Sequence, residues 1–99
     1  MILTTTPSIE GYKIIDYLGI VSGVSMNYQK GTLTFNMKKW YDALEKEVSV
    51  VKESAFQQLK TNAIKLGANA VVGINVDLEV GTTGSITVSV TGTAVKVEI

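Results

Sequence analysis

The chain has 99 residues, enough for one domain with a thin core. Nine basic and nine acidic residues cancel, so the basic surplus that phosphate binding demands is missing and nucleic acid is not an expected partner. No cysteine and no histidine are present, which removes disulfides, thiolate metal sites, the commonest general base and the commonest zinc ligand.

Charged residues make up 18% of the chain and hydrophobic residues 45%. The charged share of an ordinary soluble domain is about 25%. The deficit points to more buried surface than a monomer this small offers. The stretch Met1 to Pro7 has neither the basic nor the apolar region of a signal peptide. No apolar run approaches the ~20 residues of a membrane span. A soluble, cytoplasmic protein without membrane contact is expected.

Ile2 to Thr5 is a short β-prone piece that Pro7 cuts off, so it belongs at a sheet edge or a turn. Tyr12 to Val24 reads as a long strand. Ile14, Leu18, Ile20 and Val24 alternate onto one face; Ile15, Tyr17 and Val21 take the other. A strand apolar on both faces is covered on both. One helix covers a single face, so Ile15, Tyr17 and Val21 are expected under a neighbouring chain. Ser25 to Phe35 has no period and reads as a loop or irregular strand.

The helix begins between Asn36 and Asp42 and runs to Leu66. Asp42 and Glu45 have a capping-box spacing. A start there also keeps Lys38 and Lys39 out of a first turn that disfavours cations. Leu44, Val48, Val51, Ala55, Leu59, Ala63 and Leu66 form one apolar stripe. Gly67 supplies the left-handed stop. Trp40 and Tyr41 are best read as packing the helix start.

Val72, Ile74, Val76, Leu78 and Val80 alternate with Gly73, Asn75, Asp77 and Glu79, a strand with one apolar face. Gly81 to Ser85 has hairpin composition. Ile86, Val88 and Val90 hold even positions, but after Gly92 the apolar residues are Val95, Val97 and Ile99. A change of face at a glycine predicts a β-bulge at Gly92. It would turn Val95 and Val97 out of their own core and onto a neighbour's sheet edge. Strand, helix, strand, strand gives an α+β fold, one sheet with one helix laid across it.

Few residues suggest chemistry. Gly67 and Gly73 flank a helix-to-strand turn, the opposite polarity to a phosphate cradle. Asp77 and Glu79, with Asn75, put oxygen ligands on one strand face and are the only metal candidates, for a hard cation. The plainer reading is the polar face of an amphipathic strand. Thr87, Ser89, Thr91 and Thr93 lack any activating base. No catalytic constellation and no cofactor fingerprint stand out.

Thr4-Thr5-Thr6-Pro7 with Gly11, then Gly19-Ile20-Val21-Ser22-Gly23, resemble the opening of the YbjQ-like proteins. Leu66 to Ile74 resembles their most distinctive motif, and Ser89 to Val95 their closing strand. The match covers most of the chain in the right order; the segment from Ser25 to Asp42 departs from the family pattern. The resemblance implies a β-α-β-β subunit like that of dodecin, with extra short strands used in assembly into a ring, typically a homopentamer. It also brings a heavy-metal-binding label. Soft metals want thiolate or imidazole, and only the thioethers of Met1, Met26 and Met37 are on offer. A self-assembling, non-enzymatic ring is the first expectation, a ring binding a small ligand or hard cation the second, and an enzyme with a pocket shared between subunits the last.

Overall fold

A computed structural model describes residues 1–28, 37–81 and 85–98. Its elements are β1 (Ile2–Leu3), β2 (Lys13–Tyr28), α1 (Met37–Lys65), β3 (Ala70–Val80) and β4 (Ser85–Glu98). They form an α+β fold with a four-stranded sheet in the order β1-β3-β4-β2. Among the described residues only the β1–β3 pair is parallel. The expected irregular piece Gln29 to Phe35, the tip of the Gly81–Ser85 turn, and the side chains of Trp40 and Tyr41 lie outside the described residues. Ser25 to Tyr28 is not part of a loop: it extends β2, paired with β4 from Val88 to Ser85.

The helix starts at Met37, so the Asp42–Glu45 spacing falls inside it rather than at its cap, and its first turn holds no acidic residue. A helix of 29 residues draws its stability from the packed stripe more than from one cap. Val51, Ala55, Leu59 and Ala63 are buried, and Val48 is half-buried against the same core. Leu66 drops out of the stripe and is largely exposed. Alanines in the stripe let the helix settle closely on β2. At Gly23 a β-carbon would run into the Ala55 carbonyl oxygen and lie 2.9 Å from the Leu59 nitrogen.

The helix ends as its glycine predicts. Gly67, at φ 82°, donates to Ile64 O at 2.9 Å, and Ala68 donates to Ala63 O at 3.1 Å. These two bonds are the Schellman pair, and they leave the chain pointed into β3.

The bulge expected at Gly92 is in the partner strands instead. β4 keeps its alternation throughout: Ile86, Val88, Val90 and Ala94 all pack in the helix-side core. In β3 the register shifts between Val72 and Asn75, so Gly73 and Ile74 together face Gly92. Gly73 has φ 61°, the left-handed conformation of a glycine bulge. Val72 and Ile74 therefore point to opposite faces rather than the same one. Two further shifts in β2, between Ile14 and Asp16 and between Tyr17 and Gly19, break the simple odd–even alternation there. Gly92 itself has no room for a side chain, since an added β-carbon would lie 2.6 Å from Val71 Cγ1.

Val95 and Val97 are apolar because the reverse face of the sheet gains its own cover at this end. Ile2, Ile9 and Ile14 pack there against Ala70, Val72, Val95 and Val97. The tail is core of its own subunit, so removing it would empty half of this second cluster. β1, the one short strand among the described residues, likewise pairs within its own sheet.

Candidate functional site

Among the described residues nothing covers a broad part of the sheet: the reverse face between the second cluster and the far ends of β2, β3 and β4. Residues paired across antiparallel strands share a face. Asn75 stands opposite Thr91, Asp77 opposite Ser89 and Glu79 opposite Thr87. On the other side of β4, Thr93 faces Ile20, Ser89 faces Val24 and Thr87 faces Met26. The surface therefore grades from carboxylates on β3, through hydroxyls on β4, to a mostly apolar row on β2 that Ser22 interrupts opposite Thr91.

Asn75, Asp77 and Glu79 are all exposed. Among the described residues there is no group of three or more Asp, Glu, His or Cys able to hold a metal ion. The arrangement offers oxygen donors on an open face and little enclosure, which suits loose attraction of hard cations.

Of the residues expected at a subunit contact, Ile15 and Tyr17 are free for one, 56% and 69% exposed. Val21 is not. The two bulges in β2 turn it onto the helix side, where it is 5% exposed in the subunit's own core. Val95 and Val97 are likewise buried at home, at 0% and 3%. The same bulges bring Ile20, Val24 and Met26 to the open reverse face. Met26 was hidden from sequence reasoning because Ser25 onward read as a loop or irregular strand without a period.

β2 is an edge strand, and its outer edge is partly occupied from within. Val24 N–H donates to Gln58 Oε1 at 3.2 Å, and Asn62 Nδ2 donates to Ser22 O at 2.9 Å. Asn27 Nδ2 also donates to Glu47 Oε2. Gln58 and Asn62 are four residues apart on one helix flank, a spacing visible in the sequence but indistinguishable there from an ordinary wet face.

An open apolar cleft of about 370 Å³ lies where the helix end meets the N-terminus, lined by Met1, Ile2, Tyr12, Ile64, Ala68, Asn69 and Val97. The Asn69 amide is already committed: Nδ2 donates to Val97 O at 2.9 Å and Oδ1 accepts from Val97 N at 2.8 Å. Specific small-molecule sites pair apolar walls with polar groups that fix orientation, and the amide of Asn69 is spent on the strand.

Architecture and surface together define a small α+β domain built to present a sheet face. The chain belongs to the YbjQ_1 family, whose model, described as "Putative heavy-metal-binding", matches residues 1–98. A UPF0145 protein of Clostridium botulinum (strain Eklund 17B / Type B) is 39% identical, covering 99% of this chain and 100% of the relative. A second, from strain Alaska E43 / Type E3, is 38% identical with the same coverage. A crystal structure from Pediococcus pentosaceus ATCC 25745, a protein of unknown function in the DUF74 family, superposes with a TM-score of 0.70. It is 22% identical over 99% of this chain and 98% of that one, a likeness of fold.

The residues of this chain do not fit the family's metal description. A heavy, soft ion selects thiolate or imidazole, and the chain has neither. Among the described residues Met26 is the one methionine on the open face, and its row on β2, Ile20, Ser22 and Val24, supplies a hydroxyl but no soft donor.

Proposed function

We propose that this protein is a non-enzymatic assembly module that forms a closed homo-oligomeric ring, a pentamer, in the cytoplasm. The carrying observation is the uncovered hydrocarbon of β2: Ile20 is 84% exposed, Tyr17 69%, Met26 60%, Ile15 56% and Val24 52%. Burying a large apolar side chain contributes about 1.5–3 kcal/mol, so five together on one strand favour association strongly. The low charge content and the ring assembly that the resemblance to YbjQ-like proteins implies support the same reading. Native mass spectrometry at micromolar concentration should show one closed species near five subunits, with Tyr17→Asp shifting it toward monomer. A clean wild-type monomer would sink the idea.

The carboxylate rows favour a second reading, a ring that binds a small ligand or hard cation. Closed symmetry repeats Asn75, Asp77 and Glu79 once per subunit, multiplying a weak site. Calorimetry should then show Ca²⁺ or Mg²⁺ binding that weakens in Asp77→Asn. Tight Cd²⁺ or Hg²⁺ binding without those cations would show that the ligand class is wrong. An enzyme with a pocket shared between subunits ranks last, since a chain without histidine or cysteine lacks the commonest activating groups.

A further inference from the structure

The sheet has two edges, and the chain treats them differently. At β2 the helix closes the edge with side chains: Gln58 accepts from Val24 N–H, and Asn62 donates to Ser22 O. At β3 the N-terminal segment closes the edge with backbone. Ile2 and Leu3 pair with Ala70 and Val71, and Thr4 N–H donates to Val71 O. Thr4 O and Thr6 O then accept from Ile74 N–H and Gly73 N–H. There the cover stops. Pro7 has no N–H to continue a ladder, and Ile9 packs against the second cluster on the reverse face. From Asn75 to Val80, β3 pairs with β4 on one side, and among the described residues no strand pairs with its other side. Every residue from Asn75 to Val80 is exposed.

We propose that this open edge, Asn75 to Val80, binds an extended peptide by strand addition, and that the peptide alternates apolar and basic residues. The site lies at the other edge from the β2 hydrocarbon and does not depend on the ring.

Backbone and side chains each contribute to the recognition. An unpaired edge presents a row of N–H and C=O groups, which an added strand satisfies. Residues opposite one another in adjacent strands share a face, and the faces alternate along a strand. Toward the helix β3 presents Val76, Leu78 and Val80, 39%, 47% and 47% exposed although their partners Val90, Val88 and Ile86 are buried. An apolar side chain at every second peptide position packs beside them. Toward the reverse face β3 presents Asn75, Asp77 and Glu79. The rows next to these are Thr91, Ser89 and Thr87 on β4, then Ser22, Val24 and Met26 on β2. The formal charges of that surface are therefore both negative and both on the edge strand. A lysine or arginine at the intervening peptide positions stands against them.

The same carboxylates select against a second copy as the added strand. Two β3 edges paired antiparallel would bring the acidic faces of both chains together, and like charges opposed across strands are unfavourable. The β2 edge of another copy is closed at its centre by Gln58 and Asn62. Neither edge of this chain fits, whereas a basic, alternating strand does.

The test is fluorescence anisotropy with the full chain and a labelled peptide alternating valine and lysine over about seven residues, the length of an ordinary strand. A chelator keeps cations off the carboxylates. The peptide should bind saturably and protect amides between Asn75 and Val80 from hydrogen exchange. The same residues arranged in two blocks should bind at least about tenfold more weakly, and a valine–glutamate alternation should not bind. Two further peptides carry N-methyl groups, one on the valines and one on the lysines. One of them should lose binding and the other keep it, because alternate amides face the pairing edge. Asp77→Asn combined with Glu79→Gln, both at exposed positions, should weaken binding about tenfold, the share of two cross-strand charge pairs. Leu78→Thr, which keeps strand propensity, should weaken it about threefold. Circular dichroism confirms that the variants are folded. Absence of saturable binding, equal binding of the block peptide, equal binding of the two N-methylated peptides, or undiminished binding by the carboxamide variant would overturn the proposal. The ring is decided separately, by the mass of the wild type.

Discussion

The two ends of the sheet are built to different rules. At the end holding Ala70–Val72 and Ala94–Val97, the helix side and the N-terminal segment cover both faces, and two apolar clusters meet through the sheet. At the end holding Asn75–Val80 and Ile20–Met26, the helix covers β2 and β4 on one face, and the reverse face carries no cover from the described residues of this chain. The same β-branched residues thus serve two purposes. Val95 and Val97 hold the subunit together, whereas Ile20 and Val24 contribute nothing to its core. Apolar sequence alone does not distinguish a residue that packs in the subunit's core from one left on its surface; what covers it does.

Substitutions can separate the two ends, measured by denaturant unfolding of the chain at high dilution. The largest effect should come from Gly23→Ala, which forces a β-carbon into the helix backbone at Ala55 and Leu59. Overpacking commonly costs about 1–3 kcal/mol; with backbone as the obstacle, more than about 3 kcal/mol is expected. A loss under about 1 kcal/mol, the low end of that range, would mean that the helix rides further from β2 than drawn.

Val95→Thr places a hydroxyl in the second cluster at nearly constant shape. It should cost about 1–3 kcal/mol, the usual penalty for a buried polar group without a partner. Asn69→Ala should cost a similar amount, since it strips both the N–H and the C=O of Val97 of their amide partner. A neutral result for either would break the claim that this end is a true core.

At the open end, Gln58→Ala with Asn62→Ala should lose less than about 1 kcal/mol per bond, because the groups are exposed. Its sharper readout is association: with the edge uncovered, sheet-type aggregates detectable by dye binding should increase. Ile20→Thr should leave unfolding of the single chain within about 0.5 kcal/mol of wild type. A large loss there would show that Ile20 belongs to the subunit's own core.

Much of the fold was legible because it rests on local, periodic signals. The stripe Val51, Ala55, Leu59 and Ala63 gave the helix, and Gly67 gave its end, with the Schellman bonds to match. The β-prone start, cut off at Pro7, did sit at an edge. The family followed from the Leu66–Ile74 junction and the motifs on either side of it, and the match over residues 1–98 bears it out. The candidate surface was less legible. Ile15 and Tyr17 were found as apolar and unclaimed, but Val21, Val95 and Val97 were assigned to a neighbour and proved to be core.

The reason lies in the bulges. Period-two reasoning holds only while a strand stays in register, and one extra residue moves every later side chain to the other face. β2 has two such shifts and β3 one, all set by pairing with an unbroken β4. Local composition marked Gly92 as the irregular point, yet the irregularity was absorbed by Gly73 across the ladder, whose positive φ permits it. Backbone propensity and apolar spacing are properties of a short stretch of chain, so the order and kind of the elements follow from the sequence. Which face a residue takes, and whether its own chain covers it, depends on strands far apart in sequence, and tertiary pairing alone decides that.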